Sequence, residues 1–172
     1  MKKQIFNICC FLLFLLFALW LLTDPGYSSV VKRMTIEEMT EEAGIILQGK
    51  VTALKGEWNN EHNKIHTFVT ISVTEYIKGD LKTKEITLRL LGGVVGDTAL
   101  DIVGSPYFTP NEKVLLFLYP DYQAEFPIVG FSQGKFREET DKKTGEKIVK
   151  NEWSTFPKTT LIETIQRTLK EK

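Results

Sequence analysis

Apolar and polar residues alternate through much of the chain after Ile45, which is the pattern of half-buried β-strands. The segments "IILQGKVTAL", "IHTFVTISVTEYI" and "EITLRL" each place their apolar residues on one face. His66 falls on the polar face of the second segment, so we expect it to face solvent. Gly79 lies between the second and third segments and is predicted to occupy a turn. The later segment "KVLLFLY" is apolar throughout, which is typical of a strand buried on both faces.

Two segments have helical patterns instead. "MTIEEMTEEAG" carries Thr35 and Glu38 at the spacing of a capping box, in which each side chain satisfies a backbone N–H at the helix start. Thr160 and Glu163 repeat that spacing in "TLIETIQRTLKEK". This second segment also carries an apolar stripe, made of Leu161, Ile162, Ile165 and Leu169. We therefore predict a short helix before the strands and a closing helix after them.

Glycine and proline divide the remainder. The segment from Gly92 to Asn111 is rich in turn formers and is predicted to be an ordered surface loop, the kind that often carries function. "FPIVGFSQGKFREE" is predicted to be one strand or a bent pair, and "DKKTGEK" a hairpin turn. The predicted fold is mainly β: a small OB-like antiparallel β-barrel of five to six strands, with a short N-terminal helix and a C-terminal helix. Closure into a barrel would remove exposed strand edges.

The start of the chain has a different pattern. Lys2 and Lys3 precede an apolar run that is unbroken from Ile8 to Leu22. Residues 1–28 are predicted to be a signal peptide cleaved after Ser28, or an N-terminal membrane anchor with Trp20 at the membrane interface. In both alternatives Lys2 and Lys3 stay on the cytoplasmic side of the membrane. Residues 30–172 are therefore predicted to be a single exported, extracytoplasmic domain, either membrane-anchored or secreted.

Charge and cysteine content exclude some classes of function. Removing Lys2, Lys3 and Asp24 from the 22 basic and 22 acidic residues leaves 20 and 21, so the exported part is nearly neutral. That balance argues against nucleic-acid binding and leaves the N-terminal segment as the membrane contact. Both cysteines, Cys9 and Cys10, lie in the apolar run, so the exported part has no thiol chemistry.

The residues Gly130 to Gly134, "GFSQG", match the G-x-S-x-G pattern of a serine hydrolase. That motif requires a strand-to-helix turn and a histidine later in the chain, whereas both histidines precede Ser132. We therefore interpret Gly130 and Gly134 as structural glycines that allow a bend or a close backbone approach. A small secreted hydrolase using Ser132 is the alternative.

His62 and His66 are the candidates for a zinc site, whereas Asp97 and Asp101 match the spacing of no established calcium loop and are interpreted as a solvated turn. In an extended strand the two histidines would lie about 13 Å apart, too far for one ion, so we predict no metal and no cofactor. Two loops, "GEWNNEHNK" and Gly92 to Asn111, are predicted to meet at one end of the barrel and to bind the ligand. Their candidate binding residues are Trp58, Asp97, Asp101, Tyr107 and Phe108.

Several segments resemble a group of exported bacterial proteins with no assigned activity: "MTIEEMTEEAGIILQGKVTALKGEW", "FVTISVTEYIKGD", "LLGGVVGD", "VGSPYFTPNEKVLLFLY" and "IVGFSQGKF". The resemblance implies an OB-like barrel in which the block that begins at Gly130 ends a barrel strand. More distantly, the strand order is similar to netrin-like domains, including those of the tissue inhibitors of metalloproteinases. Lys78-Gly79 matches the end of their second strand, and Asn111-Glu112 the turn before a later one.

Those inhibitors bind the protease zinc through an N-terminal cysteine, and this chain has no cysteine after Cys10. The resemblance therefore implies their fold and not their mechanism, since a fold does not fix a function. We expect a non-enzymatic exported binding module for an extracytoplasmic protein, a protease among the options, or for an envelope glycan. The alternative class is a small hydrolase or metal-binding protein that uses Ser132 or the two histidines.

Overall fold

The computed structural model describes residues 32–171, so the predicted signal peptide or anchor lies outside the described residues. Val31–Lys172 forms one compact unit. Neither helix within the described residues is long and apolar enough to cross a lipid bilayer.

The described residues are mainly β, as predicted, with a helix at each end. The helices are α1 (Ile36–Glu42) and α2 (Lys158–Lys170). The strands are β1 (Ile45–Trp58), β2 (Ile65–Lys78), β3 (Glu85–Leu91), β4 (Gly93–Val95), β5 (Thr98–Leu100), β6 (Lys113–Leu118), β7 (Lys135–Thr140), β8 (Lys147–Lys150) and β9 (Thr155–Pro157). Nine strands exceed the five to six expected, because the predicted surface loop contains the hairpin β4–β5 and because the short strand β9 extends the main sheet.

Seven strands form one antiparallel sheet in the order β3-β2-β1-β6-β7-β8-β9, and among the described strands β4 pairs only with β5. The sheet order β6-β1-β2-β3 is that of a Greek key, in which a strand returns by a long connection to lie beside the first. β3 and β9 are the edges of the sheet, and no pairing among the described strands joins them.

The central strands separate two hydrophobic cores, because both of their faces are buried. Ile45 and Leu47 of β1 contribute to a core with β2, β3 and β6, whereas Ile46 packs into a second core beneath the two helices. Residues Val114 to Leu118 of β6 are all buried, which confirms the prediction for "KVLLFLY". The one-sided pattern predicted for β1 was wrong at its start, where the helices cover the second face.

The first capping box is confirmed and the second is wrong. The Glu38 amide donates a 3.1 Å hydrogen bond to the Thr35 hydroxyl, and the Thr35 amide donates one of 2.8 Å to the Glu38 carboxylate. The closing helix begins at Lys158, directly after Pro157, so Thr160 and Glu163 lie inside it and no side chain caps its start. Proline fixes a φ compatible with a helix, and the chain passes from β9 into α2 without the predicted cap.

The three glycines predicted to be structural lie where a side chain would be strained or would clash. Gly79 and Gly130 have φ angles of +67° and +63°, which are unfavourable for residues that carry a Cβ atom. Gly134 packs so closely that an added Cβ would lie against the Val129 carbonyl oxygen. The predicted strand or bent pair is interrupted, because Phe131–Gly134 forms a 3-10 helical turn. The block that begins at Gly130 therefore leads into β7 and does not end a strand.

Candidate functional site

An apolar cleft of about 310 Å³ lies beside the hairpin β4–β5. Its other border is the segment that follows the hairpin, residues 101–108, which we call the hairpin loop. We call the cleft itself the hairpin cleft. Its wall is largely aliphatic and aromatic and includes Leu54, Leu90, Ala99, Leu100, Ile102 and Phe108. The aliphatic residues come from β1, β3, β5 and the start of the loop, so the cleft lies where the main sheet meets the small hairpin.

Small residues allow the hairpin to lie directly on the main sheet. A Cβ on Gly56 of β1 would meet the carbonyl oxygen of Val94 in β4, so only glycine permits this approach. The Thr67 hydroxyl of β2 donates a 2.8 Å hydrogen bond to the Gly92 carbonyl at the entry to the hairpin. These contacts fix the hairpin on the main sheet.

A carboxylate and a phenol meet at the edge of the cleft. The Tyr107 hydroxyl donates a hydrogen bond to Oδ1 of Asp101. This hydrogen bond and the negative charge of Asp101 raise the pKa of the Tyr107 phenol. Tyr107 is 70% exposed, so a large aromatic side chain beside the cleft is open to solvent.

A lysine whose side chain is largely buried holds the hairpin loop against the main sheet. Lys135 of β7 donates a hydrogen bond to the Tyr107 carbonyl, and its Nζ lies 4.5 Å from the centre of the Phe108 ring. Its Nζ also lies 2.8 Å from the Glu112 carboxylate, which accepts a 2.9 Å hydrogen bond from the Thr109 amide. Burial lowers the pKa of Lys135, although Glu112 opposes the shift. Lys135 and Glu112 therefore position the loop that carries Tyr107 and Phe108.

Ser132 lies behind the same loop, at a second cleft of about 210 Å³ that Lys135 and Glu152 also line. Its hydroxyl donates a 3.2 Å hydrogen bond to Glu152, and its amide donates one of 3.0 Å to the Gly104 carbonyl. The serine is buried in a 3-10 turn before a strand, so the strand-to-helix turn of a nucleophile elbow is not formed here. The contacts of Ser132 fasten the hairpin loop.

The two histidines occupy different environments. His62 lies in the turn after β1 and stacks on Trp58, with ring centroids 6.2 Å apart. His66 is only 7% exposed, and its Nε2 lies 3.1 Å from the Glu125 carboxylate. The prediction that His66 faces solvent was wrong, because the segment around Glu125 covers this end of β2. Within residues 32–171, no three His, Cys, Asp or Glu side chains gather closely enough to hold a metal ion.

Three of the five predicted binding residues, Asp101, Tyr107 and Phe108, line the hairpin cleft together. Asp97 lies in the turn of the hairpin, outside the cleft. Trp58 belongs to β1 and not to the loop in which it was expected, and it contacts His62. The two predicted loops do approach each other, since Gly56 of the first packs against Val94 in the second.

Sequence reasoning missed the lysine, the glutamate and the aliphatic wall. Lys135 and Glu112 are ordinary surface residue types in short polar contexts, and neither follows a periodic pattern. The apolar residues Leu100 and Ile102, two positions apart within a segment rich in turn formers, were the one signal that this loop has a packed side.

The fold and the cleft together define a mainly β domain that carries an apolar cleft beside its Greek key. The chain matches no protein-family model and no curated protein.

Proposed function

We propose that this chain is a non-enzymatic exported binding module whose hairpin cleft docks an apolar side chain of an extracytoplasmic protein. The observation that carries the proposal is the cleft itself, a concave aliphatic surface with an exposed tyrosine beside it. Concave apolar sites with a few placed polar groups are the usual form of a binding pocket. Exposed tyrosines are enriched in the surfaces that proteins use to bind one another.

A protein partner suits the cleft better than a glycan. A sugar presents hydroxyl groups in every direction, and burying them against an aliphatic wall would leave their hydrogen bonds unmade. Leu54, Leu100 and Ile102 offer no such bonds, whereas they contact a leucine or valine side chain favourably. The glycan option therefore becomes an outcome of the binding test.

The finer fold assignment is part of this proposal. The Greek-key order β6-β1-β2-β3, with β7 paired to β6, supports an OB-like arrangement that is open between the edge strands of the sheet. It is compatible with the resemblance to exported bacterial proteins and to netrin-like domains. The inhibitory mechanism of the latter is not proposed, because it depends on a cysteine that this chain lacks.

Export is proposed from Lys2, Lys3 and the apolar run that follows them. A fusion of alkaline phosphatase to the C-terminus tests it, because that enzyme is active only after export. We expect activity from the fusion and none after Leu13 and Leu16 are both changed to Arg. An inactive fusion to the unaltered chain would contradict the proposed location.

Two neighbouring residues of β5 provide a matched test of the docking site. Ala99 lines the hairpin cleft, whereas Thr98 is exposed outside it. Ala99→Trp adds a large side chain within the lining of the cleft, and Thr98→Trp adds the same bulk at a position that does not line it. The full-length chain with a C-terminal affinity tag would be used to capture partners from envelope extract.

We expect a captured protein to be lost with Ala99→Trp and retained with Thr98→Trp. Equal capture by both variants would place the binding surface elsewhere. Retention of cell-wall polymer with no protein partner would replace the protein proposal with glycan binding.

A further inference from the structure

We propose that the hairpin cleft is selective for an apolar residue that stands next to a lysine or arginine in the partner protein. This inference rests on the proposed function, since it names the chemistry of the segment that the same cleft would dock. It is carried by the charge at the edge of the cleft, which is a different observation from the apolar wall.

Asp101 is the only aspartate, glutamate, lysine or arginine among the residues that line the cleft in the described part of the chain. Its Oδ1 accepts the Tyr107 hydroxyl, and its Oδ2 accepts no hydrogen bond within residues 32–171. A ligand cation can therefore approach Oδ2 without displacing the tyrosine.

The Lys135 ammonium group, which contacts the same loop, does not cancel this charge. Lys135 lies beyond the Phe108 ring, does not line the cleft and is paired with Glu112 at 2.8 Å. The surface that meets a ligand in the hairpin cleft is consequently apolar with one negative edge. An apolar side chain fills the aliphatic part, and a basic neighbour complements Asp101, as charge complementarity at interfaces requires.

Three capped dipeptide amides test the inference: acetyl-Leu-Lys-amide, acetyl-Leu-Gln-amide and acetyl-Leu-Glu-amide, which differ chiefly in charge. The full-length chain, labelled with ¹³C in its alanine, leucine and isoleucine methyl groups, would be studied by NMR in a non-ionic detergent. The methyl signals of Ala99, Leu100 and Ile102 report binding inside the cleft. Asp101→Asn keeps an acceptor for Tyr107 and removes the charge, and Asp97→Asn removes a charge from the hairpin turn as the matched control.

We expect the lysine peptide to bind the cleft about two- to fivefold more tightly than the glutamine peptide, as an exposed ion pair allows. The glutamate peptide should bind most weakly. Asp101→Asn should abolish this preference and Asp97→Asn should leave it. In about 0.5 M salt the preference should shrink, because exposed charges are screened.

The possible failures are distinguishable. If the methyl signals respond equally to all three peptides, or respond most to the glutamate peptide, the cleft binds apolar groups but the inferred selectivity is wrong. If Asp97→Asn removes the preference as fully as Asp101→Asn does, the effect belongs to overall charge and the inference also fails. If none of the peptides shifts these methyl signals, the proposed docking site itself is contradicted.

Discussion

The Lys135 ammonium nitrogen lies 2.8 Å from the Glu112 carboxylate, and the two side chains are only 12% and 4% exposed. A charge pair at this depth adds little to the stability of the fold compared with a well-packed apolar pair. Removing one partner, however, is destabilising, because the other charge is left buried and unpaired. Because Lys135 also donates to the Tyr107 carbonyl, the pair connects the stability of the sheet to the position of the hairpin loop.

We expect Lys135→Met to lower the free energy of unfolding by about 3 kcal/mol, since it leaves Glu112 without its cation. Changing Glu112 to Gln in the same chain should restore part of that loss, because the unmatched charge is then gone. Urea unfolding of the single and double variants measures this coupling. A double variant as unstable as the sum of its parts would show that the pair is not coupled.

Lys113→Met is the control for that experiment. Lys113 is 63% exposed and lies 3.9 Å from Glu138, so water already screens the pair. We expect its removal to change the free energy of unfolding by no more than about 0.5 kcal/mol.

Gly134 provides a second test, based on close packing. A Cβ there would lie against the Val129 carbonyl and 3.3 Å from the Phe117 carbonyl, whereas a Cβ on Gly145 would meet open space at a φ of +75°. Gly134→Ala should therefore cost about 2–3 kcal/mol of unfolding free energy. Gly145→Ala should cost about 1 kcal/mol, from its backbone conformation alone. Thermal unfolding that ranks the two variants in the opposite order would contradict the close approach.

The secondary structure could be predicted wherever one face of an element is buried. The alternation in "EITLRL" matches the buried residues Ile86, Leu88 and Leu90 of β3, and the Thr35–Glu38 spacing identified the start of α1. The pattern failed where tertiary structure covers a polar face. His66 has the sequence environment of a solvent-facing residue, and only the chain near Glu125, which is 59 positions away, buries it.

The site could be predicted in part for a related reason. Turn formers marked the segment that carries Asp101, Tyr107 and Phe108, because loops that need glycine and proline are visible in a sequence. The hairpin β4–β5 was missed because strands of three residues are too short to establish a period. The contact of Lys135 with the loop joins positions 28 residues apart, and no local pattern encodes such a pairing.

The contact between His66 and Glu125 predicts a pH dependence. The hydrogen bond from His66 lowers the pKa of the Glu125 carboxyl, burial works against this shift, and Lys64 adds to it. Folding thus favours ionised Glu125. Its contribution is fully present above the ordinary pKa of 4.5 and is lost as the pH falls through the lower pKa of the folded state.

Glu125→Gln should therefore destabilise the protein by about 1 kcal/mol near neutral pH and by much less once the pH has fallen below the lowered pKa of Glu125 in the folded state. Urea unfolding of the unaltered protein and the variant across this pH range gives the difference between their free energies of unfolding. The effects of the other carboxylates are common to both proteins and cancel in that difference. Glu146→Gln, at an exposed position in the β7–β8 hairpin, should show a difference near zero at every pH. A Glu125→Gln difference that stays constant with pH would contradict this account.

The G-x-S-x-G motif yields a direct test of catalysis. The Ser132 hydroxyl donates to the Glu152 carboxylate at 3.2 Å, and His66, the more buried of the two histidines, is held by Glu125. Without a paired imidazole the hydroxyl is a weak nucleophile. We expect the full-length chain, Ser132→Ala and Ser105→Ala to hydrolyse p-nitrophenyl acetate at equal rates. Ser132→Ala should lose only about 1 kcal/mol of unfolding free energy, for one hydrogen bond. Hydrolysis that disappears in Ser132→Ala and persists in Ser105→Ala would establish Ser132 as a nucleophile and overturn the non-enzymatic proposal.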